Sequence, residues 1–123
     1  MPSSALLLAL LLACAPARPG QGVQAVAVSA STAQQAAGQV ATVTGQVVQV
    51  KDHAHHGFAY LNFGGRYPDH TFSVLIPDSA VAKFGDLSRF EGHRARATGL
   101  VWLQDGKWPA MTLTDPAALE LLP

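Results

Sequence analysis

FAYLNFGGRYPDHTFSVLIP, residues 58–77, decides how this chain is read. Two aromatic-rich apolar runs, 58–63 and 71–76, flank the polar connector Gly64-Gly65-Arg66-Tyr67-Pro68-Asp69-His70. Each run alternates at the period of a β-strand, so side chains two apart share a face. The Gly-Gly and Pro-Asp steps supply turn chemistry between them. In the first run Phe58, Tyr60 and Asn62 share one face, and Ala59, Leu61 and Phe63 share the other. In the second, Phe72, Val74 and Ile76 are expected in the core, with Thr71, Ser73 and Leu75 facing away.

Upstream, residues 39–51 (QVATVTGQVVQVK) read as a long strand: Val40, Val43, Val47, Val48 and Val50 suit β-structure, and Gly45 allows a bend. Asp52–Gly57 is a polar loop. Downstream, Pro77-Asp78-Ser79 opens a short helix with Asp78 or Ser79 as N-cap. Val81, Ala82 and Phe84 form its apolar stripe, and Gly85 ends it. Residues 94–103 are a fourth strand, beginning with Arg94 and Arg96 alternating against Ala95 and Ala97. Asp105-Gly106 is a two-residue hairpin signal. Residues 107–114 form the fifth strand, in which Pro109 marks an edge or a bulge. Leu119, Leu121 and Leu122 close the end.

Five strands with one short helix between the third and fourth predict an all-β OB-fold, a small Greek-key barrel, over residues 39–123. The segments Leu61–Gly64, Tyr67-Pro68, Thr98-Gly99 and Leu113–Pro116 also carry a resemblance. With the sequence around them, they look like small exported bacterial OB-fold proteins of the tRNA-anticodon/helicase type. The resemblance spans about residues 40–122 and implies nucleic-acid binding by analogy of fold.

The amino-terminal end reads as a targeting segment. Ala5–Ala13 (ALLLALLLA) is a continuous apolar run, too short for the roughly 20 residues that cross a membrane. A signal peptide over residues 1–14 fits better. Leu11-Leu12-Ala13-Cys14 resembles a lipobox, making the single cysteine, Cys14, the lipidation candidate; Ala15-Pro16-Ala17 is the competing cleavage site. Either reading predicts an exported protein, periplasmic or anchored to the outer membrane as a lipoprotein. Residues 15–38, rich in Ala, Gln and Gly, read as a flexible tether, in which the alternation at 23–28 is the one place for a short strand.

Charge argues against a strong polyanion binder. The chain has no formal net charge, and from residue 39 onward seven Lys/Arg stand against eight Asp/Glu, without any basic run. Stacking needs less charge. If Leu61 and Phe63 are core, Phe58 and Tyr60 lie where bases stack on other OB-folds, and Arg66, Tyr67 and Trp108 extend that surface. Arg94 and Arg96, with Lys107 across the hairpin, would supply phosphate contacts.

The expected function is therefore a non-catalytic binding module for single-stranded nucleic acid or another extended oligomer. Oligosaccharide is also within the reach of the fold. The alternative is a metal-binding envelope protein. His53 and His55 point the same way in an extended segment and, with His56, His70 or Asp69 as a third ligand, could ligate Zn²⁺ or Cu²⁺. A domain that docks an envelope protein partner and takes no small ligand is the third reading. No G-x-S-x-G, H-E-x-x-H or P-loop motif is present, so no enzyme is expected.

Overall fold

The computed structural model describes residues 25–53 and 57–123. The segment read as a signal peptide, Cys14, the first part of the stretch read as a tether and the histidines His55 and His56 lie outside the described residues, as does the side chain of His53.

The described chain is mostly β. Its strands are β1 (Val26–Ser29), β2 (Val40–His53), β3 (Phe58–Phe63), β4 (Phe72–Pro77), β5 (Arg94–Leu100), β6 (Trp102–Gln104), β7 (Trp108–Thr112) and β8 (Leu119–Leu121). One α-helix, α1 (Asp78–Phe84), follows β4, and short 3-10 segments occupy Ala30–Ala36, Leu87–Phe90 and Pro116–Ala118. Among the described residues no helix is long and apolar enough to cross a membrane.

The strands run in the order β6-β7-β4-β3-β2-β5-β8, with β1 laid parallel on β2. β2, 14 residues long, divides its pairing. Val40–Gln46 pairs with β5 and Val47–His53 with β3, with a register slip between Val47 and Gln49 that bends the strand. β4 pairs with β7 in parallel, and the crossover between them contains α1, β5 and β6.

The expected fourth strand is two segments broken at Val101. Both backbone groups of Val101 turn aside: its N–H donates to the Gln39 carbonyl (3.0 Å) and its carbonyl accepts from the Gly38 N–H (2.8 Å). β5 therefore stays on β2 while β6 pairs with β7. Strands near opposite ends of the order are thus consecutive in the chain.

Leu61, Phe63, Phe72, Val74 and Ile76 are fully buried, as their alternation requires. Phe63 and Phe72, paired across β3 and β4, meet edge to face at 5.3 Å. On β5, buried Ala95 and Ala97 alternate with exposed Arg94 and Arg96.

Several expectations need correction. Residues 26–36, inside the stretch read as a tether, form β1 and a 3-10 segment whose Ala30, Ala33 and Ala36 join the core. Gly45 makes this possible, because a Cβ there would lie 2.6 Å from the Ala30 Cβ. The helix N-cap is Pro77, with no side-chain cap bond; Asp78 is already helical, and its N–H reaches the Gly57 carbonyl at 3.0 Å. Ala80 and Phe84, four apart, make the buried stripe, while Ala82 is exposed. Pro109 needs no edge or bulge, because the β4 ladder begins one residue later, at Ala110. Leu119 is buried, but Leu121 is 41% exposed. Asp105 and Gly106, both at positive φ, form the expected tight hairpin.

Candidate functional site

The outward side of β2, β3 and β4 is not bare. Pairing places Gln49, Asn62 and Ser73 in one row across three strands, and Lys51, Tyr60 and Leu75 in the next. The 64–71 connector, whose Tyr67–Pro68 peptide bond is cis, leaves Asn62 and Ser73 no more than 4% exposed.

Burial obliges these polar groups to find partners. The Asn62 amide donates to Gln49 Oε1 at 3.0 Å, and the Ser73 hydroxyl donates to Asn62 Oδ1 at 2.8 Å. Gln49 Oε1 also accepts the backbone N–H of Tyr67 at 3.0 Å. One glutamine oxygen thus ties the sheet to the connector and fixes where Tyr67 stands.

Above this row opens a cleft of about 390 Å³. Lys51, Tyr60, Asn62 and Ser73 contribute from β2, β3 and β4, and Tyr67 and His70 from the connector. Gln104, Asp105 and Trp108 close it from the β6–β7 hairpin. Its volume falls within the usual range of small-ligand sites.

The wall on the connector side is a stack. Tyr67 and His70 lie 5.6 Å apart at an interplanar angle of 23°, and the Lys51 ammonium sits 5.9 Å from the Tyr67 ring centre. His70 is 9% exposed, and its Nδ1 is buried without a hydrogen-bond partner among the described residues. Burial pushes the imidazole below its ordinary value, a shift the Asp69 charge partly offsets. His70 is therefore neutral at neutral pH. Opposite, the Lys107 ammonium lies 5.6 Å from the Trp108 ring centre. The site presents aromatic faces, a floor of amide and hydroxyl groups, one ammonium and one carboxylate. Such a surface can stack a planar ring and hydrogen-bond its edge.

Of the residues singled out from sequence, Tyr60, Tyr67 and Trp108 meet in this cleft. Phe58 lies one row beyond, its ring 6.4 Å from that of Tyr60. Arg66 is exposed on the connector and does not line the cleft. Arg94 and Arg96 stand on β5, opposite Gln46 and Thr44 of the other half of β2, and Arg96 is bonded to Glu120 at 2.9 Å. Sequence reasoning offered His70 only as a metal ligand and Asn62 only as a neighbour of Tyr60 on one strand face, and it gave Lys51, Gln49 and Ser73 no part in the site. The continuing alternation of β2 through Gln49 and Lys51 was the available signal for Lys51. Among the described residues no three His, Cys, Asp or Glu side chains gather to hold a metal. The His53/His55/His56 reading falls on side chains outside the described residues.

No family model matches this chain, and no curated protein matches it either.

Proposed function

We propose that this is an exported, non-catalytic OB-fold module that binds single-stranded nucleic acid in the cleft over β3 and β4. The OB reading is supported by the parallel β4–β7 pair, the helix between β4 and β5, and the β5–β6 chain spanning two neighbours. Export rests on the apolar leader at residues 5–13. The observation that carries the ligand is the convergence of Tyr60, Tyr67 and Trp108 with Lys51 on one cleft. Aromatic faces tolerate any base, and stacking is worth roughly 1–3 kcal/mol per base.

The test is the tryptophan fluorescence of the purified protein, titrated with oligo-dT at low salt. Trp108 in the cleft is the reporter. A saturable change, lost in Trp108→Phe and weakened at least tenfold in Tyr60→Ala, supports the reading. No response at low salt overturns it; quenching by a neutral oligosaccharide in that case would reassign the cleft to glycan.

A further inference from the structure

We propose that the cleft takes a single nucleotide unit, one base and one phosphate, rather than tracking a run of phosphates. This rests on the reading above and narrows its ligand.

The first ground is charge. Among the described residues lining the cleft, Lys51 is the one cation, and Asp105 stands in the same lining. The neighbouring wall adds nothing, because burial keeps His70 neutral. Lys107, against the Trp108 ring, and Arg66, exposed on the connector, flank the cleft without lining it, and the remaining basic residues stand elsewhere. Arg96 is held by Glu120 across the β5–β8 pair, and Arg94 stands two residues away on the same strand. Arg89 donates to the Phe84 carbonyl at 2.9 Å, beyond the far end of α1. A phosphate track needs several ammonium or guanidinium groups in line. The cleft lining holds one.

The second ground is the extent of the platform. His70 already covers one face of Tyr67, and the Lys107 ammonium lies over one face of Trp108. The Lys51 ammonium also lies 5.9 Å from the Tyr67 ring centre, so the aromatic surface left for stacking is limited. It suits one ring held between walls, with the amide and hydroxyl row at the floor. A ladder of successive bases would need aromatics spaced along an open groove.

A single phosphate contact on single-stranded nucleic acid gives a slope of about −0.7 in log affinity against log salt. Raising salt from 50 to 200 mM should then weaken binding only about threefold, where three contacts would cost nearly twentyfold. The experiment measures thymidine, thymidine monophosphate and a ten-residue oligo-dT on the full chain, by tryptophan fluorescence across that salt range.

The proposal expects the monophosphate to bind within about tenfold of the oligomer, the number of equivalent registers the longer strand offers. It expects a slope no steeper than about −1. It also expects Lys51→Gln to flatten that slope and make the monophosphate bind like the nucleoside, with Lys51→Arg restoring it. Circular dichroism on both variants separates loss of contact from loss of fold. A slope of −2 or steeper, or a salt response unchanged in folded Lys51→Gln, overturns the single-unit inference while leaving nucleic-acid binding standing. Absence of any oligo-dT signal at low salt overturns both.

Discussion

Two outward faces of the same β2 strand have opposite fates. On the β5 side, Thr42, Thr44 and Gln46 stand opposite Thr98, Arg96 and Arg94. The exposed partners satisfy one another at the surface: the Thr42 and Thr98 hydroxyls are 3.2 Å apart, and Arg96 meets Glu120. On the β3 side, Gln49, Asn62 and Ser73 face away from the core in the same way and are nonetheless buried. The difference is that the 64–71 connector, tied to Gln49 through the Tyr67 N–H, and the β6–β7 hairpin stand over one face, while the other is left to water. Outward pointing and solvent exposure are separate properties. A covered outward face must be built from groups that hydrogen-bond each other, and that requirement produced the floor of the cleft.

The comparison can be broken at its strongest point first. Asn62→Ala leaves Gln49 Oε1 short of one donor and the Ser73 hydroxyl without its acceptor, in a buried setting. A loss of about 1–3 kcal/mol is expected, read as a lowered urea midpoint at unchanged slope. Gln49→Ala should cost about 1–2 kcal/mol and in addition speed amide exchange at Tyr67, whose N–H it holds. Unchanged Tyr67 exchange would mean that the connector is positioned by something else.

His70 sharpens the comparison through pH. Folding lowers its proton affinity, so the unfolded chain binds the proton more readily. The stability tied to neutral His70 is complete above its ordinary value near 6.5 and is lost as pH falls from there through its lowered value in the folded state. The melting temperature should drop between pH 7.5 and 5.5, and drop less in His70→Gln. Equal pH dependence in the two proteins would remove His70 from the account. The smallest effect is expected on the other face: Arg96→Ala exposes a Glu120 that is already more than half in solvent, and should cost less than about 1 kcal/mol in thermal melts.

Much of the sheet was legible in the sequence, because β3 and β4 alternate cleanly and Asp105-Gly106 announces its turn. The break at Val101 was not, since it depends on backbone bonds to Gly38 and Gln39, some 60 residues earlier in the chain. Nor was the packing of Ala30, Ala33 and Ala36. Alanines three apart read as bland composition until the space above Gly45 is known. In the site, the aromatic members Tyr60, Tyr67 and Trp108 were visible as large residues on predicted strands or turns. Lys51 and His70 were not, because membership in a cleft is decided by where the connector folds back. Arg94 and Arg96 show the converse, a regular pattern that reflects only the solvated face of a strand.

The inclusion of residues 26–36 in the folded body also sets a distance. Were Cys14 to carry a lipid, only residues 15–25 would separate it from the first strand, instead of residues 15–38. Fully stretched, that chain reaches at most ~40 Å rather than ~85 Å. A domain so attached would patrol a thin layer next to the bilayer and meet only ligands that come to that surface.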